Sequence, residues 1–214
     1  MTARLSTALA CCLVLFVVTA GLVLVPSAGM AIHELERVLL SALRTETGSL
    51  IGPDWLQEAI RDISALGSMT VSIGGTMLGA GYFALRGEVR KAAFLLAAIT
   101  GAVLLSVGAK EIFARPRPDL FEHGTRVFTP SFPSAHAAVS AAVAAAFANV
   151  LAMRFVETPA RATIFVACGC VAILIGASRI YLGVHWPTDV VAGWALGLAW
   201  ALVCVPLIKS ETRS

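Results

Sequence analysis

The chain has 214 residues, 58% of them hydrophobic and 14% charged, with a mean hydropathy of +0.85. A water-soluble domain cannot bury that share of apolar side chain, so the composition selects an integral membrane protein. The formal charge is only +3, and the basic residues are scattered between apolar runs, which argues against a nucleic-acid partner.

Apolar stretches long enough to cross a bilayer, each about 18 to 22 residues, run at roughly 5–25, 64–85, 92–113, 136–156, 162–181 and 190–208. They predict an all-α polytopic fold of six transmembrane helices in one domain over 1–214, with a core at about 64–208. Arg4 precedes the first span and Ser27, Ala28 and Gly29 follow it, as at a signal peptide. Its apolar core is longer than the usual signal h-region, so it reads as an anchor.

Residues 26–63 form the one long polar insertion. Ile32, Leu35, Val38, Leu39, Ala42 and Leu43 recur there at helical spacing, with His33, Glu34, Glu36, Arg37 and Arg44 on the other face. The pattern predicts an amphipathic helix on the membrane surface. A second short helix is expected from Pro53, in the favoured first-turn position, with Trp55, Leu56, Ala59, Ile60 and Ile63 apolar. Together they form an amphipathic surface cap.

Gly75 and Gly79, and Gly193 and Gly197, have the spacing that lets helices approach closely, with packing inside one bundle the expected use. Cys11, Cys12, Cys168, Cys170 and Cys204 all fall in apolar runs and read as small packing residues. Cys168 and Cys170 are two apart on a helix and point to different faces, a poor metal clip.

Basic residues set the orientation. Arg86, Arg90 and Lys91 crowd the second-to-third connection, Arg154 and Arg161 flank the fourth-to-fifth, and Lys209 and Arg213 end the chain. Positive-inside reasoning puts these segments and both termini in the cytoplasm, with 26–63, 114–135 and 182–189 on the other side. The raw Lys and Arg count is nearly balanced, so this orientation discounts Lys110, Arg117 and Arg179 as residues kept for chemistry.

Three polar clusters sit at the same-side ends of the last four spans: 110–118, 131–136 and 178–189. A Lys or Arg at the centre of a spanning helix costs about 2.5 to 3.5 kcal/mol, and less near its end. An anion held between helix ends gives Lys110, Arg117 and Arg179 a shared reason. Ser134 is placed as the N-cap of the fourth span, so the free N–H groups of that helix would point into the same pocket. His136 and His185 are the titratable pair suited to proton transfer. Asp189, four residues after His185, is within reach of its Nδ1–H, with Pro187 starting the sixth helix between them. Arg115 reads either as a contact to a second phosphate or as a head-group-layer residue. Asp119, Glu122, His123 and Arg126 read as a solvated loop. Arg61 and Asp62 read as a pair or as residues shaping the pocket, and Tyr181 and Trp186 as interfacial aromatics or as residues flanking the substrate.

Lys110, Arg117 and Pro118 in K-x6-R-P, residues 133–136 in P-S-x-H, and Ser178, Arg179, His185 and Asp189 in S-R-x5-H-x3-D resemble the three-part signature of the type-2 phosphatidic acid phosphatase superfamily. That superfamily also includes vanadium haloperoxidases and glucose-6-phosphatase. The resemblance implies the membrane branch, a six-helix architecture and roles residue by residue. Lys110, Arg117, Arg179, Ser134 and the Ala135 segment would bind phosphate, His185 would become phosphohistidine, Asp189 would orient it, and His136 would protonate the leaving oxygen. Ala135 departs from the usual glycine, and a positive φ there would strain it.

Phosphoryl transfer asks mainly for positioning and charge stabilisation, which these residues supply without paired carboxylates for two metals. The expected function is therefore a metal-independent, cofactor-free phosphatase. It would hydrolyse a lipid phosphomonoester or diphosphate at the non-cytoplasmic face of a bacterial inner membrane. A polyprenyl diphosphate, phosphatidic acid, phosphatidylglycerophosphate and a lipid A phosphate all satisfy the pattern. Its partners are that phosphorylated lipid and membrane lipid; the sequence specifies no oligomeric state. The competing readings are a phosphotransferase using the same intermediate and a non-catalytic lipid-phosphate binder or transporter. The complete set of His185, Asp189 and His136 argues against the last.

Overall fold

The computed structural model describes residues 3–125, 127–155 and 158–209, except for the side chains of 26–29, 158 and 209. Expectations attached to Arg126, residue 157 and Arg213, and to the side chains of Ser27, Ala28 and Lys209, lie outside these described parts.

Among the described residues the regular secondary structure is all helical apart from one antiparallel bridge between Arg44 and Leu50, with loops between the helices. The helices are α1 (Ala3–Leu24), α2 (Pro26–Ser41), α3 (Asp54–Leu66), α4 (Met69–Leu85), α5 (Val89–Phe113), α6 (Ala135–Ala152), α7 (Thr158–Tyr181), α8 (Pro187–Cys204) and α9 (Pro206–Lys209). Five of these, α1, α5, α6, α7 and α8, are long and apolar enough to cross a membrane, and α3 with α4 makes a sixth candidate span bent by 51°. Large apolar side chains such as Val17, Leu78, Ile112 and Val166 project from the outside of the bundle. The chain is an integral membrane protein, and these side chains are its lipid-facing surface.

The second span differs from its sequence expectation. It does not start at residue 64; α3 runs on to Leu66, and a new helix begins at Met69 after an elbow. Ser68 caps α4 by accepting the Val71 N–H at 3.3 Å. Gly67 lets the elbow sit on α7, since a Cβ there would come 2.3 Å from Cγ2 of Ile175. Pro53 is the residue before α3 and not its first turn, so that helix starts one residue later than expected.

The alanine-rich α6 is the centre of the bundle, packed against α5, α7 and α8. Small residues bring α6 and α8 together: a Cβ at Gly193 would lie 2.5 Å from the Ser134 carbonyl oxygen, and one at Gly197 only 1.9 Å from that of Ala138. Two tryptophans of α8 use glycines on neighbouring helices in the same way. Trp194 lies against Gly176 and donates to the Ala172 carbonyl at 3.0 Å, and Trp200 lies against Gly101 and donates to Ala97 at 2.9 Å. Gly79 packs on Phe147 as expected, whereas Gly75 faces open space.

The cap helix α2 inverts one expectation. Leu35, Val38 and Leu39 are exposed, while Glu36, expected on the outer polar face, is only 1% exposed and turned into the protein. Arg44 is also buried and donates to the Tyr181 carbonyl at 2.9 Å. Glu34 and Arg37 stay exposed and Leu40 is buried, so the face turned into the protein carries Glu36 and Leu40 together. At the opposite end of the bundle, Arg86, Lys91 and Arg154 gather around Glu88.

Candidate active site

Antiparallel packing brings the N-terminal ends of α6 and α8 to the same level as the C-terminal ends of α5 and α7. Ser134, the residue before α6, donates its backbone N–H to the Asp189 carbonyl in the first turn of α8 at 2.9 Å, which locks the two helix starts together. The two helix starts therefore lie side by side, and the positive end of α6 favours an anion beside it.

His185 stands in the turn between α7 and α8 and is 2% exposed. Its Nδ1 lies 3.4 Å from Oδ2 of Asp189, and its Nε2 lies 3.3 Å from Nη1 of Arg117. An arginine can only donate, so Nε2 is the acceptor and Nδ1 carries the proton toward Asp189. Burial, reinforced by the charges of Arg117, Lys110 and Arg179, holds the ring well below the usual histidine range, so it stays a free base.

Lys110, in the last turn of α5, donates Nζ to the Pro130 carbonyl and lies 3.5 Å from that of Ser131. Arg117 donates Nε to the Thr129 carbonyl at 2.7 Å and Nη1 to the Val184 carbonyl at 2.6 Å. Arg179, in the last turn of α7, donates Nη1 to Oγ of Ser64 at 2.6 Å, while its buried Nε has no partner among the described residues. The hydroxyl of Ser134 is also fully buried and, among the described residues, without a partner. Two unmet polar groups beside a cluster of cations and two helix starts suit a tetrahedral oxyanion.

His136 lies on the first turn of α6, within electrostatic range of His185, Arg117, Lys110 and Arg179. It opens onto a cleft of about 280 Å³ lined also by Arg61, Ser64, Ser68, Thr125 and Arg179. Ala135 is the first helical residue of α6 and has no positive φ, so the absent glycine causes no strain. The positive φ lies instead at Ala114, 44°, where α5 ends and the chain turns toward Arg115.

Every candidate residue read from the sequence therefore converges here, but several neighbours behave otherwise. Arg115 meets neither a second-phosphate position nor the head-group layer: it is buried, with Nη1 2.6 Å from Asp189 Oδ1 and Nη2 2.7 Å from Glu36 Oε2. Trp186 is buried under Arg115 and donates to the Pro116 carbonyl at 3.0 Å, so it does not belong to an interfacial belt, and the half-buried Tyr181 donates its hydroxyl to the Ile51 carbonyl. Arg61 pairs with Glu58 at 2.9 Å and not with Asp62, and it lines the cleft. His123 is tied to the Pro118 carbonyl at 2.6 Å. Sequence reasoning missed Glu36, Thr188 and Ser64, none of which carries a spacing signal; Arg115 alone stood out, in Arg-Pro-Arg-Pro.

The chain matches the PAP2 superfamily over residues 91–213. It is 34% identical over 151 residues to phosphatidylglycerophosphatase B of Bacillus subtilis, an alignment covering 70% of this chain and 73% of that protein. A lipid A 1-phosphatase of Rhizobium etli is 36% identical over 114 residues, covering 49% of this chain and 45% of that one. In three dimensions the chain is similar to the crystal structure of a transmembrane PAP2-type phosphatidylglycerolphosphate phosphatase from Bacillus subtilis. That likeness has a TM-score of 0.80 and 25% identity, covering 96% of this chain and 97% of that one. With the three motifs folded into one site and most of a curated relative aligned, the chain belongs to the PAP2 superfamily.

Proposed function

We propose that this protein hydrolyses lipid phosphomonoesters or lipid diphosphates through a phosphohistidine on His185. The observation that carries the reading is the pairing of the His185 ring, with Nδ1 on Asp189, which leaves Nε2 unprotonated and turned to Arg117, one of the cations that would hold phosphate.

In the first step Nε2 of His185 attacks phosphorus and the bond to the lipid oxygen breaks, that oxygen taking a proton from His136. In the second, water gives a proton to His136 and attacks the same phosphorus; the P–N bond breaks and inorganic phosphate leaves. Lys110, Arg117, Arg179, the Ser134 hydroxyl and the α6 N–H groups hold the equatorial oxygens, where charge concentrates. Since these groups supply the charge, the reading requires no metal or cofactor.

The relatives named above act on phosphates carried by membrane lipids, and we extend that substrate class to this chain. A lipid anchored in the bilayer would present its phosphate at the level of the helix ends. The basic cluster around Glu88 marks the cytoplasmic end by positive-inside reasoning, so the site would face outward and draw on the outer leaflet of a bacterial inner membrane.

The test is phosphate release by detergent-purified protein from a panel of lipid phosphates with EDTA present. Release that persists in chelator is expected for at least one member; a strict need for an added divalent ion, or no release from any, contradicts the proposal.

A further inference from the structure

We infer that Glu36, on the cap helix α2, is a positioning residue for the nucleophile and acts on His185 through Arg115 and Asp189. The proposal rests on His185 being the nucleophile, and its test is chosen to separate the two claims.

The connection is continuous and buried. Glu36 Oε2 accepts from Arg115 Nη2 at 2.7 Å, and Arg115 Nη1 donates to Asp189 Oδ1 at 2.6 Å. The other Asp189 oxygen accepts the Trp186 N–H at 2.9 Å and faces His185 Nδ1 at 3.4 Å. Glu36 Oε1 accepts both the Thr188 N–H at 2.9 Å and the Thr188 hydroxyl at 2.6 Å. Glu36 thus satisfies an N–H in the first turn of α8, the turn that carries Asp189, although it lies 152 residues earlier in the chain.

Charge makes this more than a brace. Replacing a buried ion network by apolar side chains is often neutral or stabilising, so the network is weak evidence for a stability role. Two carboxylates sharing one guanidinium leave one net negative charge beside the ring, and His185 gains positive charge when Nε2 bonds to phosphorus. Without Glu36, Arg115 would neutralise Asp189 alone and draw it from Nδ1. The bond at Nδ1 fixes the tautomer, and the net charge stabilises the imidazolium as it forms. Because α2 turns Leu35, Val38 and Leu39 outward, its seat in lipid also sets where Glu36 stands.

The experiment compares Glu36→Gln, Asp189→Asn and the double variant in detergent, with Thr188→Ala as the control for losing hydrogen bonds of the network without losing its ion pairs. Glu36→Gln is expected to lower kcat by about 10- to 100-fold, the usual cost of removing an outer partner, with KM for a lipid phosphate within about threefold and vanadate binding retained. The double variant should be no slower than Asp189→Asn alone, because both act along one line. Thr188→Ala loses the hydroxyl bonds to Arg115 at 2.7 Å and to Glu36 at 2.6 Å but keeps the Glu36–Arg115 and Arg115–Asp189 ion pairs, so it should lose clearly less kcat than Glu36→Gln. A second readout does not depend on turnover. In protein labelled with 15N-histidine, His185 should be the Nδ1–H tautomer in the wild type and lose that preference in Glu36→Gln. Its other charged and titratable neighbours, Lys110 from α5, His136 from α6, Arg179 from α7 and Arg117 from the loop, are unchanged in the variant. Glu36→Asp carries the same comparison if Glu36→Gln fails to fold. An unchanged kcat, additive losses, an equal loss in Thr188→Ala or an unchanged tautomer overturns the proposal. A wild type that hydrolyses no lipid phosphate overturns the functional reading instead and leaves the tautomer comparison standing.

Discussion

The backbone N–H of Ser134 bonds the Asp189 carbonyl at 2.9 Å, so the start of α6, which carries His136, and the start of α8, which follows His185, are held as one unit. That bond is made possible by the close approach at Gly193 and Gly197. Gly197→Ala should therefore lower stability in detergent by about 1–3 kcal/mol, the usual cost of overpacking, and reduce turnover with it. Gly74→Ala, where a Cβ meets nothing within 4 Å, is the control and should leave the thermal midpoint unchanged or slightly raised. An equal effect of the two substitutions on thermal unfolding would refute the packing account.

The nucleophile and its partner should separate cleanly from phosphate binding. His185→Ala is expected to abolish turnover while retaining insertion, and Asp189→Asn to lower kcat by up to about 10⁴-fold, as losing the orienting carboxylate does in histidine-assisted hydrolysis. A hydrolysis rate for Asp189→Asn within twofold of the wild type would remove that role from Asp189.

Vanadate tests the cradle. Its trigonal-bipyramidal adduct on His185 would place charged oxygens against Lys110, Arg117 and Arg179, so it should inhibit at low concentration. Arg179→Ala should raise the inhibition constant by at least about tenfold, the loss of one charge-assisted contact. Vanadate-insensitive hydrolysis would contradict the site as drawn.

How much of this was legible beforehand follows from which contacts are local. Lys110, Arg117, Ser134, His136, Arg179, His185 and Asp189 were found because each lies at or within about four residues of a helix end, at fixed spacing from a neighbour, and six apolar runs fixed their common side. Glu36 and Arg115 were not found as a pair. Periodicity on α2 identifies two faces but not which polar side chain turns inward: Glu34 and Arg37 are exposed, whereas Glu36 reaches a residue 79 positions later. The elbow between α3 and α4 was hidden because its apolar pattern continues across Gly67 and Ser68; the approach of Ile175, which requires the glycine, comes from a distant helix.

The depressed pKa of His185 has a definite sign. Unfolded, the ring titrates near 6.5; folded, its pKa is well below that, so below pH ~6.5 the unfolded chain binds a proton that the folded one excludes. This contribution is complete above pH ~6.5 and lost as pH falls toward the folded pKa. The 15N signals of ligand-free His185 should accordingly report a neutral ring at pH 6.5 and below. A ring half-protonated at pH 6.5 or higher would show that burial and the three cations do not act on it as described.

Orientation is testable with single cysteines in a background lacking the native five. Gly87 has a φ of 74° and a Cβ at Gly124 would press on Leu182, so the exposed Val89 and Phe128 are better positions. An impermeant maleimide on intact spheroplasts should label Phe128→Cys and spare Val89→Cys. The reverse pattern would place the site on the cytoplasmic leaflet.

The central claim is covalent chemistry at His185, and the most direct measurement is to trap it. Protein mixed with a substrate carrying 32P in its terminal phosphate, quenched in alkali where phosphohistidine survives, and mapped by proteolysis should carry label on the peptide containing His185. His136→Ala should retain that label longest, because the base for the second step is gone, and His185→Ala should carry none. Label on a peptide without His185, or turnover by His185→Ala at the wild-type rate, would contradict the account.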